Sequence, residues 1–107
     1  FGYSLMEFDT FNRHKIPVIA IIGNDAGWTQ IARDQVDILD DAVSTELAAS
    51  DYHIAVKALG GVGYFIDNES QIDDVLTQAK DSAKSGKPVV VNARIGKTDF
   101  RKGSISI

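Results

Sequence analysis

The sequence contains no cysteine, two prolines, one tryptophan and two histidines. Without cysteine there can be neither a disulfide framework nor a thiolate metal site, although the redox compartment stays open. His14 and His53 have no partners at ligand spacing, so neither a zinc centre nor a Ser-His-Asp arrangement is expected, and each histidine reads as a surface or packing residue. The longest apolar stretch, residues 16–23, falls far short of the roughly 20 residues that cross a bilayer, and no signal-peptide pattern is present. Nor is there an excess of positive charge. The net charge of -4 repels polyanions and makes nucleic acid a poor partner. Arg94, Lys97, Arg101 and Lys102 cluster near the end and read as a solvated tail.

What the chain does have is enough apolar residues, 44% of 107, for one core and one domain. It begins with Phe1 inside what reads as an element, so a missing upstream segment is expected, and its loss should leave an unpaired strand or an exposed apolar face. Phe1, Leu5, Phe8 and Phe11 make a stripe at helical spacing over residues 1–13. Residues 16–22 are a β-branched run without alternation, which predicts a parallel-sheet strand covered on both faces. Residues 28–49 fit no single helical register and predict short helices joined by an irregular loop. Ser50 then reads as an N-cap, with Tyr52, Ala55, Val56 and Leu59 on one helix face and Gly60-Gly61 as the stop.

Residues 62–66 predict a short strand, and Asn68 with Gln71 a capping box. The helix that follows should bury Ile72, Val75, Leu76, Ala79 and Ala83. Its acids Glu69, Asp73 and Asp74 come early and its bases Lys80 and Lys84 late, as the helix dipole favours. Gly86-Lys87-Pro88 ends it, residues 88–95 form another strand, and residues 96–107 read as a C-terminal extension. Strands alternating with helices imply an α/β fold, a doubly wound parallel sheet with helices on both faces.

Ligands of such sheets sit beyond the carboxyl ends of strands. After the first strand come Asn24, Asp25, Ala26, Gly27 and Trp28. A carboxylate, an amide oxygen and exposed carbonyls beside glycine are hard oxygen ligands of the kind Mg²⁺ prefers. The same residues also suit a plain strand-to-helix turn. Trp28 reads equally as a floor for a cofactor or as a core plug. Asp40-Asp41 and Asp73-Asp74 point to different helix sides and read as solvated charges. Gly60, Gly61 and Gly63 follow a helix and precede a strand, the reverse of a dinucleotide fingerprint.

Three segments carry a resemblance: FGYSLMEFDTF at residues 1–11, RHKIPVIA at 13–20 and GNDAGWTQ at 23–30. Together they resemble the C-terminal, diphosphate-binding domain of thiamine diphosphate-dependent enzymes, whose GDG motif precedes an apolar strand and an Asn-Asn pair. Counting that family interval back from Asp25 lands just before Phe1, so residues 1–107 would be the cofactor-binding domain cut just after the GDG motif. Within the family the segment at residues 23–30 and GKTDFR at 96–101 are similar to 2-hydroxyacyl-CoA lyases of animals.

The resemblance implies thiamine diphosphate and Mg²⁺ as cofactors. Asp25, or Asn24 if the register slips by one, would be the side-chain ligand, Gly27 the carbonyl ligand, and Trp28 a cofactor contact. Asp25 stands where the family has Asn, so an extra negative charge lies beside the diphosphate. The implied reaction is cleavage of an acyl-CoA substrate to formyl-CoA and a shortened aldehyde. A homo-oligomer sharing its site between subunits and a location at the endoplasmic reticulum membrane are implied as well. The catalytic glutamate would belong to another domain and is not Glu7, so this chain alone should be inactive. An acetolactate synthase-type carboligase is the alternative in the same superfamily, disfavoured by Asn24-Asp25 and by Asp99-Phe100-Arg101, and a non-enzymatic α/β interaction module is the further one.

Overall fold

The computed structural model describes residues 1–97, which form two compact units. The first comprises residues 1–23 and 51–94, the second residues 24–50 with 95–97. The extension beyond residue 97, with Asp99, Phe100, Arg101 and Lys102, lies outside the described residues.

In chain order the elements are α1 (Glu7–Arg13), β1 (Ile19–Asn24), α2 (Thr29–Leu39), α3 (Tyr52–Ala58), β2 (Val62–Ile66), α4 (Ile72–Lys84) and β3 (Val89–Arg94). The strands form one parallel sheet in the order β1-β3-β2, with helices on both faces, the α/β arrangement the alternation predicted. Val62 pairs with Val89 and Ile66 with Ala93, so the in-out alternation of β2 and β3 is in phase. On one face Ile66, Val89 and Val91 pack against Ala79, Val75 and Ala83 of α4. Tyr64 adds a 2.9 Å hydrogen bond between its hydroxyl and that of Ser82, tying α4 to β2. On the other face Val90 packs with Phe8 of α1 and Val56 of α3.

Several expectations change. The helix foreseen over residues 1–13 is a 3-10 turn at Gly2–Ser4 followed by α1 from Glu7, although the aromatic stripe holds: Phe8 is buried, with the rings of Phe1 at 5.9 Å and Phe11 at 5.7 Å. The first strand starts at Ile19 rather than residue 16 and is not covered on both faces. Ala20 and Ile22 join the Phe8 and Val56 core, whereas Ile21 remains 62% exposed, because β1 is the sheet edge and α4 lies over β2 and β3. Ser50 does not cap α3; Asp51 holds that position, without a side-chain cap bond. Ile72 is exposed, because the first turn of α4 overhangs the core that Val75 and Ala79 enter. The capping box of Asn68 and Gln71 forms as read. His53 is a packing residue: its ring stacks on Phe65 at 5.0 Å, and its Nδ1 lies 3.4 Å from Nδ2 of the buried Asn92.

In the second unit, residues 28–49 make one helix of 11 residues, α2, and an irregular return rather than several short helices. Ile31, Ile38, Leu39, Val43 and Leu47 are all exposed there, which is why they trace no clear buried stripe.

Candidate functional site

The loop that leaves β1 is shaped by its own side chains. Asn24 is buried, and its amide is committed in both directions: Nδ2 donates to the Ser50 carbonyl at 3.1 Å, and Oδ1 accepts the Ala26 N–H at 3.1 Å. Its main-chain carbonyl accepts the Ile95 N–H at 3.1 Å. Asp25, half-buried, accepts the Gly27 N–H on Oδ1 at 3.2 Å, and its Oδ2 accepts the Thr29 hydroxyl. These side-chain-to-backbone bonds two residues ahead are Asx turns, which let Ala26 hold a left-handed φ of 54°.

The return segment clamps the loop from outside. Trp28 donates its N–H to the Thr45 carbonyl at 2.8 Å, and Leu47 donates to the Ala26 carbonyl at 2.9 Å, which brackets an antiparallel bridge between Gly27 and Glu46. With the Ala26 carbonyl taken, the Gly27 carbonyl accepts no hydrogen bond among the described residues. Gly27 also has little room to spare, since a Cβ there would meet the Thr29 hydroxyl at 3.3 Å and the Thr45 carbonyl at 3.4 Å. Trp28 is no core plug: it is 44% exposed and begins α2, its carbonyl accepting from Ile31 and Ala32.

The site's chemistry is that of hard oxygens. The Asp25 carboxylate and the Gly27 carbonyl are oxygens of the kind a small divalent cation takes while it keeps water and phosphate oxygens in its remaining positions. Among the described residues no group of three or more His, Cys, Asp or Glu could enclose a metal by itself, so a cation here would need ligands beyond this loop. Beside Gly27 a shallow recess of about 180 Å³ runs past Ala32, Val36 and Ala42 to Lys97 and Glu46. The Lys97 ammonium is 3.2 Å from the Glu46 carboxylate, and Arg94, in the first unit, lies 5.3 Å from the centre of the Phe65 ring.

Thr29 and Thr45 were not singled out in the sequence, and Ser50 only as a helix cap. Thr29 had a local signal, a hydroxyl four residues after an aspartate at a helix start. Ser50 had none, since it meets Asn24 across 26 residues through a main-chain oxygen.

Comparison with known proteins identifies the family of the chain. Residues 1–93 match the family described as thiamine pyrophosphate enzyme, C-terminal TPP binding domain. The chain is 56% identical to the 2-hydroxyacyl-CoA lyase 2 of Homo sapiens and 57% identical to that of Bos taurus, in each case over 100% of this chain and 17% of the relative. It is 55% identical to the 2-hydroxyacyl-CoA lyase 2 of Mus musculus over the same shares. The chain thus spans about a sixth of the length of these relatives, 17% of it, and it belongs to the thiamine pyrophosphate enzymes as their C-terminal cofactor-binding domain.

Proposed function

We propose that the full-length protein carrying this domain is a thiamine diphosphate-dependent 2-hydroxyacyl-CoA lyase, and that its Mg²⁺ is held here by the Asp25 carboxylate and the Gly27 carbonyl. The observation that carries the metal assignment is the pairing of a half-buried carboxylate with a main-chain oxygen that accepts no hydrogen bond among the described residues. Asn24 is the weaker choice, because its amide oxygen and nitrogen both serve the loop. The substrate class is supported by the names of relatives more than half identical over the whole chain.

Bound thiamine diphosphate supplies a nucleophilic carbon and an electron sink for carbon-carbon cleavage. The role of this domain is to hold and orient the diphosphate end through the cation, and Trp28 at the head of α2 lies at hand for a cofactor contact. Acid-base groups and most substrate contacts come from the rest of the protein. A homo-oligomer and the endoplasmic reticulum membrane belong to the same reading, resting on the resemblance alone, and are tested by sedimentation and cell fractionation. The activity is tested by supplying purified full-length protein with a 2-hydroxyacyl-CoA. Release of formyl-CoA and an aldehyde one carbon shorter, dependent on both thiamine diphosphate and Mg²⁺, is expected. Acetolactate formed from pyruvate with no cleavage of the acyl-CoA would contradict it.

A further inference from the structure

We propose that Thr29 is a positioning residue for the cation: its hydroxyl donates to Asp25 and fixes the carboxylate in its binding orientation before the metal arrives. The inference rests on the reading of Asp25 as a ligand and extends it to a residue outside the coordination shell. An ionised carboxylate can only accept hydrogen bonds, so between Thr29 and Asp25 the hydroxyl must be the donor. The Gly27 N–H fills one lone-pair site on the other oxygen, at 3.2 Å. A carboxylate has about four such sites, so two stay open for a cation and its partners.

Two donors of different origin, one from the turn and one from the first residue of α2, fix both side-chain torsions of Asp25. They also draw charge from a carboxylate that must lie near an anionic diphosphate. An asparagine could donate its own N–H to the threonine oxygen, whereas an aspartate depends on the threonine for a proton. Thr29 is thus the local counterpart of having Asp at position 25. Gly27 leaves room for the Thr29 hydroxyl, since a Cβ there would meet it at 3.3 Å.

Partners that orient a metal ligand typically contribute about 10- to 100-fold in metal affinity. In full-length protein, Thr29→Val should therefore raise the Mg²⁺ concentration for half-maximal thiamine diphosphate retention by at least about tenfold. Thr29→Ser, which keeps the hydroxyl, should stay within about twofold of the parent, and saturating Mg²⁺ should restore the cofactor content of Thr29→Val but not that of Asp25→Ala. Melting of the metal-free proteins serves as the control, because a merely structural threonine would lower the apo melting temperature and leave the Mg²⁺ requirement unmoved. Should the valine variant not fold, Thr29→Ala carries the same comparison. An unchanged Mg²⁺ requirement in a folded variant lacking the hydroxyl, with Asp25→Ala devoid of cofactor, would overturn the role of Thr29 and leave the metal assignment standing. Full cofactor retention by Asp25→Ala would overturn both.

Discussion

Gly63 lies directly beneath the main chain of His53: a Cβ at residue 63 would sit 2.0 Å from the His53 carbonyl oxygen and 2.7 Å from its carbon. The first turn of α3 thereby reaches β2 at van der Waals distance, which lets the His53 ring lie on Phe65 and meet Asn92. Gly63→Ala cannot be relieved by turning a side chain, because the obstacle is backbone. It should destabilise the protein by at least about 1 to 3 kcal/mol, the usual cost of overpacking. Gly2→Ala is the control, since nothing lies within 4 Å of its added methyl, and it should stay within about 0.5 kcal/mol. Thermal melting of the two variants side by side checks the contrast.

The capping box of the 3-10 turn at Glu69–Gln71, which leads into α4, provides a second, local prediction. Asn68 Oδ1 accepts the Ser70 N–H at 2.9 Å, while Gln71 Oε1 accepts those of Asp67 and Asn68 at 3.0 and 3.1 Å. Asn68→Ala should cost about 1 kcal/mol and Asn68→Asp much less, because the aspartate keeps the accepting oxygen. Amide hydrogen exchange over residues 69–76 should quicken in the alanine variant and stay slow in the aspartate one.

This cap was legible in the sequence because every partner lies within four residues, and β2 was legible because Gly60-Gly61 and Asn68 bracket it. Exposure was harder to read. Ile19, Ile21 and Ile72 have the composition of buried positions, but their burial depends on whether a helix lies over that part of the sheet, which periodicity does not encode. Residues 28–49 resisted for a related reason: α2 has an apolar side, but Ile31, Ile38 and Leu39 on it remain exposed and Val43 and Leu47 follow in an irregular return, so the segment as a whole keeps no single register. At the site, turn chemistry marked the loop, and the resemblance suggested the use proposed for it. Only the fold showed that Asn24 spends its amide on Ser50 and Ala26 while the Gly27 carbonyl accepts no hydrogen bond among the described residues.

That difference between neighbours gives a third prediction. Asn24→Asp keeps an acceptor for the Ala26 N–H but turns a second, charged acceptor toward the Ser50 carbonyl in a buried place. Asn24→Ala loses both bonds. Each variant should lose about 1 to 3 kcal/mol of stability without cofactor present, the aspartate at least as much as the alanine. Denaturant titration of the apo-proteins measures this. An Asn24→Asp variant as stable as the parent would show that the amide braces nothing.

Asp25 should behave in the opposite way, its importance lying in the cation more than in the turn. Removing its carboxylate takes away the acceptor for Gly27 and Thr29, a loss of about 0.5 to 2 kcal/mol at most for a cap-type bond in a half-exposed place. The decisive measurement is thiamine diphosphate content and melting temperature on the same samples of full-length Asp25→Ala and Asp25→Asn. Coordination by Asp25 predicts a folded alanine variant without cofactor and an asparagine variant that retains it, since the amide keeps an oxygen ligand. Full cofactor occupancy in Asp25→Ala would contradict the assignment.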